Sequence, residues 1–168
     1  VTTKPDFSET PKTPTVSKRS ISVLDDLFNL GYTTSGDILL YEHEDKRISA
    51  AFRTLVPAEL RDVHECIGAY SSIGAKIITE QIELLARGVV MINNMPLILD
   101  QHDREELAKK DNVKDPSPLE QARYILLHKL NSKPVLDLLY GAYMEFLGNI
   151  DKEFEEIKKK LKKTEPSA

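Results

Sequence analysis

Apolar residues in the last third of the chain recur every three or four positions: Val135, Leu138, Leu139, Ala142, Phe146, Ile150, Phe154, Ile157 and Leu161. The stripe hardly drifts around a helical wheel, which predicts one long helix from Pro134 to about Lys163. Thirty residues at about 1.5 Å each span roughly 45 Å, more than a small domain, so the end of this helix is expected to project. The same period marks shorter stretches. Leu119, Ala122, Ile125, Leu126 and Leu130 follow Pro118; Leu60, Val63, Cys66 and Ile67 follow Pro57. Proline suits a first helical position, where the missing N–H would have no partner anyway. Residues 75–87 present Ile77, Ile78, Gln81, Leu84 and Leu85 before Gly88. Residues 101–111 predict a short, highly charged helix. Further upstream, Ile21, Leu24, Leu27 and Phe28 predict a helix capped by Ser20 or Ser22 and stopped at Gly31.

Two regions change period. Residues 38–41 and 47–55 read as strands around a turn at 43–46, and residues 89–92 and 96–99 flank Asn93 and Asn94. An Asn pair tolerates positive φ and suits a tight hairpin, with Pro96 at an unpaired position. The expected fold is mainly α with minor β: five or six helices around one core, plus one or two hairpins. Residues 1–19 hold Pro5, Pro11 and Pro14 and almost no apolar side chains, so they cannot offset their ordering entropy alone. They are expected to form a flexible or extended arm, with residues 20–150 as the core and 151–168 as the projecting helix end and tail.

Composition narrows the class. At 168 residues, 40% apolar and 30% charged, the chain fits a single soluble helical domain. A net charge of -4 makes nucleic acid an unlikely partner, since binders usually carry a basic surplus. Cys66 is the single cysteine, so no intrachain disulfide framework exists. No apolar run reaches the roughly 18 residues of a membrane span, and the N-terminus lacks a signal peptide's order. The chain reads as soluble and cytoplasmic in origin.

Candidate chemistry is sparse. His64 and Cys66 lie two apart on a helix and point apart, so they do not pair as metal ligands. Asp37, Glu42, His43, Glu44 and Asp45 lack the Ca²⁺-loop pattern. Asp100, His102, Asp103, Glu105 and Glu106 would need burial in a cleft to act as acid and base, and their segment reads as exposed. No phosphate-cradling loop or nucleophile elbow is present. No catalytic residue, metal or cofactor is expected.

Partner binding is the stronger expectation. The candidate contacts are Thr10, Pro11, Pro14 and Val16 on the arm, and Phe154, Ile157 and Leu161 on the long helix. Leaving such a stripe bare costs about 25 cal/mol per Å². Lysines 158–160, with Lys162 and Lys163, complement a helix C-terminus; the alternative is DNA handling by a packaging or regulatory factor.

Two stretches carry a resemblance: Phe52-Arg-Thr-Leu-Val-Pro-Ala-Glu and Leu84-Leu-Ala-Arg-Gly-Val-Val-Met-Ile-Asn-Asn-Met-Pro-Leu. Over residues 47–146 the chain resembles small phage tail and baseplate assembly proteins, among them tail assembly chaperones and baseplate hub subunits. The resemblance implies a non-enzymatic role in a virion or its assembly, with the host cytoplasm during assembly, or the virion, as the expected location. Its partners would be other virion or tail assembly proteins, with homo-oligomers a further option. The arm and the charged helix end do not map onto that family.

Overall fold

The computed structural model describes residues 33–112, 114–130 and 132–163, with the backbone alone at Leu161. The expected arm and the helix at Ile21 to Phe28 lie outside the described residues. The order is β1 (Ile38–His43), β2 (Lys46–Phe52), α1 (Pro57–Gly68), α2 (Ile73–Gly88), β3 (Val89–Ile92) and β4 (Met95–Pro96). Then come α3 (Gln101–Asp111), α4 (Pro118–Tyr124) with a π-helical turn over Ile125–Lys129, and α5 (Lys133–Lys162). The protein is mainly α with a minor sheet, as the periodicity predicts.

The two expected hairpins form one sheet. Strands run in the order β1-β2-β3-β4, all antiparallel, because β2 also pairs with β3 through Ala50 and Ile92. The paired residues of β2 and β3 are 37 to 42 positions apart, from Phe52 with Val89 to Ala50 with Ile92, so local pattern could not announce that pairing. Asn93 and Asn94 take the left-handed conformation, with φ of 49° and 60°. The Asn93 side chain also accepts from the Ser49 N–H at 2.8 Å, and its own N–H donates to the Ser49 carbonyl at 2.9 Å, which fastens the turn to β2. Pro96 sits on the edge strand, where its missing donor costs no ladder bond.

Helix ends follow their chemistry. Glu59 accepts from the Val56 N–H at 3.1 Å at the start of α1. Ser117 and Glu120 exchange bonds at 3.3 and 2.7 Å in a capping box ahead of Pro118. The core centres on Phe52, Leu85, Leu126, Leu139 and Tyr143, all fully buried. The Phe52 ring lies 5.5 Å from that of Tyr143 and 6.1 Å from that of Phe146. Tyr143, outside the predicted stripe, is among its most buried members. Val63 is buried as expected, whereas Leu60 is exposed, because α1 meets the body through a narrower face than its apolar spacing suggests.

Candidate partner-binding surfaces

Helix α2 is the pivot of the molecule. Its C-terminal half, from Ile82 to Gly88, is buried on all sides. Leu84 and Leu85 meet the core, while Glu83 and Arg87, each 7% exposed, occupy the opposite side. Arg123 on α4 grips the Glu83 carboxylate with both arms of its guanidinium, Nε to Oε1 and Nη2 to Oε2, each at 2.7 Å. Arg87, one turn along α2, donates to Oε2 and to the Glu83 carbonyl. Burial pushes the Glu83 carboxyl up, but the hydrogen bonds from Arg123 and Arg87 outweigh it and hold the group below the usual carboxylate range. The same bond holds the Arg123 guanidinium above its ordinary value.

Glu83 therefore stays ionised with both oxygens engaged. It is neither a proton donor near neutral pH nor a free base. A second two-pronged pair, Arg53 with Glu59 at 2.6 and 2.9 Å, ties the end of β2 to the first turn of α1.

Where α2 ends, Gly88 lies against the Tyr143 ring. A Cβ there would fall 2.4 Å from Tyr143 Cζ, inside any allowed contact. The ring cannot swing away, being fully buried between Phe52 and Phe146. Its hydroxyl donates to the Arg53 carbonyl at 3.3 Å, and burial raises its pKa to about 12.

The N-terminal half of α2 is the reverse. Ile73, Ile77 and Ile78 are 77%, 52% and 55% exposed. Ile77, Ile78, Gln81, Leu84 and Leu85 share one helical face, so the stripe that enters the core at Leu84 simply runs past the edge of the body. Beside it lies a groove of about 680 Å³ lined by Cys66, Tyr70, Ile78, Ile82 and Leu127, together with Arg123 and Glu83. Tyr70 and Leu127 at its rim are also exposed. The groove's walls are largely apolar, and the two charged residues that line it are already paired with each other.

The predicted contact residues are spread differently. Thr10, Pro11, Pro14 and Val16 lie outside the described residues. Phe154 and Ile157 sit on α5 beyond Ile150, which is the last α5 side chain packed on the core among the described residues. Phe154 is 37% exposed with the Lys158 ammonium 4.7 Å from its ring centroid, and Ile157 is partly covered. Leu161 lies within the helix.

The acids at 100–106 are not wholly exposed. Asp103 is buried and pairs with Lys129 at 2.7 Å, and Asp100 caps α3 by accepting from the Asp103 N–H. His102, Glu105 and Glu106 face solvent. These carboxylates have structural partners and do not converge on a cleft. His64 is exposed and Cys66 half-buried, with the Arg123 Nη2 4.0 Å from its sulfur. Among the described residues, no group of three His, Cys, Asp or Glu is placed to hold a metal, and no helix is long and apolar enough to cross a membrane.

Sequence reasoning missed the Glu83–Arg87–Arg123 cluster and the exposed end of α2. Glu83 and Arg87 stand at the i,i+4 spacing of a helical ion pair, a usable signal, but Arg123 joins them from 40 positions away, which no spacing rule connects. The exposed end left a usable signal: Ile73 extends the apolar stripe upstream of the predicted helix start.

Fold and surface together define a mainly α protein, bearing a small antiparallel sheet, whose apolar side chains extend past its own core. Comparisons with protein families, with curated proteins and with solved structures return no match for this chain.

Proposed function

We propose that this protein is a non-enzymatic assembly or structural component of a bacteriophage tail or baseplate, acting by binding other subunits of the particle. The observation that carries the reading is the run of isoleucines on α2 that continues a core stripe into solvent, beside an apolar groove. Leaving three such side chains in water forgoes about 25 cal/mol for every Å² that a partner would cover. The resemblance of residues 47–146 to tail and baseplate assembly proteins supplies the particle; the surface supplies the mode. The N-terminal arm and the C-terminal helix are further contact elements in this reading.

The test is recovery of the tagged chain from phage-producing cells, with bound proteins identified by mass spectrometry. Tail or baseplate subunits should accompany the wild type and be lost from Ile73→Asp with Ile78→Asp. Recovery of no particle subunit, or an unchanged set from the variant, overturns the reading or its surface respectively.

A further inference from the structure

Charge is segregated along the part of α5 that lies beyond the core. Residues 151–156 carry four acids and one lysine; residues 158–163 carry five lysines and no acid. Between and among them runs the stripe Ile150, Phe154, Ile157 and Leu161, spaced four, three and four apart. That is the spacing with which two helices interlock side by side. The helix continues unbroken to Lys162, twelve residues past Ile150, or about 18 Å of further length.

Orientation decides what this charge pattern can pair with. Two such segments side by side in parallel would set acids against acids and lysines against lysines. Turned antiparallel about Ile157, each acidic block faces the other chain's lysines, and the two apolar stripes meet. Residues 151–156 are exposed, so their carboxylates are available to a partner. Glu155 is engaged locally, by Lys158 at 2.7 Å. An acidic block directly beside the lysines repels a phosphate backbone, which favours a protein with the same pattern over duplex DNA.

We propose that the distal part of α5 is a self-association segment that pairs antiparallel with the same segment of a second copy of this chain. The inference rests on the reading of the protein as an assembly component and names the occupant of this helix. The overlap is short, near the low end of specific interfaces, so the pair is weak and strongly salt-dependent.

Sedimentation equilibrium of the full chain at low and high salt tests it. The wild type should dimerise with rising concentration, and between about 0.05 and about 0.5 M salt the dimer should weaken about tenfold as the charges are screened. Lys158→Glu, Lys159→Glu, Lys162→Glu and Lys163→Glu together should weaken it at least about tenfold by setting acid against acid. Adding Asp151→Lys, Glu153→Lys and Glu156→Lys to that variant reverses both blocks and should restore association to within about threefold.

Far-UV circular dichroism checks that the helix survives each change. If the reversed helices fray, Phe154→Asp with Ile157→Asp decides, and should leave a monomer. A wild type that stays monomeric at every concentration overturns the proposal. So does charge reversal without effect, or duplex DNA binding by the lysine block with no self-association. Failure here leaves capture of tail subunits through the α2 face standing; loss of that capture with the dimer intact removes only the assembly reading.

Discussion

One helix carries two opposite solutions to the same problem. The second half of α2 hides a glutamate and an arginine, while its first half shows three isoleucines to water. Polarity alone predicts the reverse. What decides is the supply of neighbours. Residues 82–88 lie between the core and α4, where Arg123 can neutralise Glu83, so two charges are buried without being orphaned. Residues 73–78 lie past the core, where Tyr70 and Leu127 border a groove and Ile73, Ile77 and Ile78 each stay more than half exposed. A side chain's place follows from which partners its position offers.

The largest test of this contrast removes the carboxylate. Glu83→Ala leaves two arginines facing each other in a buried site and should cost about 3–5 kcal/mol, read from chemical denaturation. The pH profile carries the sign. The folded-state pKa of Glu83 is depressed, so its contribution is present above the unfolded value near 4.3 and is lost as pH falls through the folded value. Melting temperature against pH should therefore fall on acidification in the wild type and flatten in the variant. Glu59, also held low by its bond to Arg53, keeps a residual slope. Identical acid limbs would remove Glu83 from the account.

A smaller effect is expected where the buried half ends. Gly88→Ala drives a methyl into the clamped Tyr143 ring and should cost about 1–3 kcal/mol by overpacking. A neutral result would mean that the ring can move after all, which a changed near-UV circular dichroism signal of the tyrosines, absent in a Tyr143→Phe background, would register.

The smallest effect belongs to the exposed half. Ile73→Asp with Ile78→Asp should change stability by less than about 0.5 kcal/mol, since neither side chain is buried in the monomer. A clear loss of stability in thermal melts would show that these isoleucines serve the fold, and the contrast between the two halves would collapse.

Much of the fold was legible because the signals are local. Pro57 and Pro118 mark helix starts by their fixed φ, Asn93 and Asn94 mark a turn by tolerating positive φ, and the stripe from Val135 to Ile150 marks the face of α5 that meets the core. What stayed hidden is non-local. Glu83 and Arg87 sit on the face that helical spacing assigns to solvent, and only Arg123, arriving from another helix, makes them buried. Ile77 and Ile78 share their face with Leu84 and Leu85, so spacing cannot tell where the body ends along that face. The joining of β2 to β3 depends on closing a long loop that local pattern does not encode.

Helix α2 passes into β3 with no residue between Gly88 and Val89, and the Gly88 carbonyl accepts from the Arg53 N–H at 2.8 Å at the end of β2. The junction therefore contains no slack. With its sixteen residues, α2 is about 24 Å long, its second half held between the core and α4 and its end fixed on the sheet. In the reading proposed above, a partner on the isoleucine end would load first the buried turns held by Arg123, and only through them the strands.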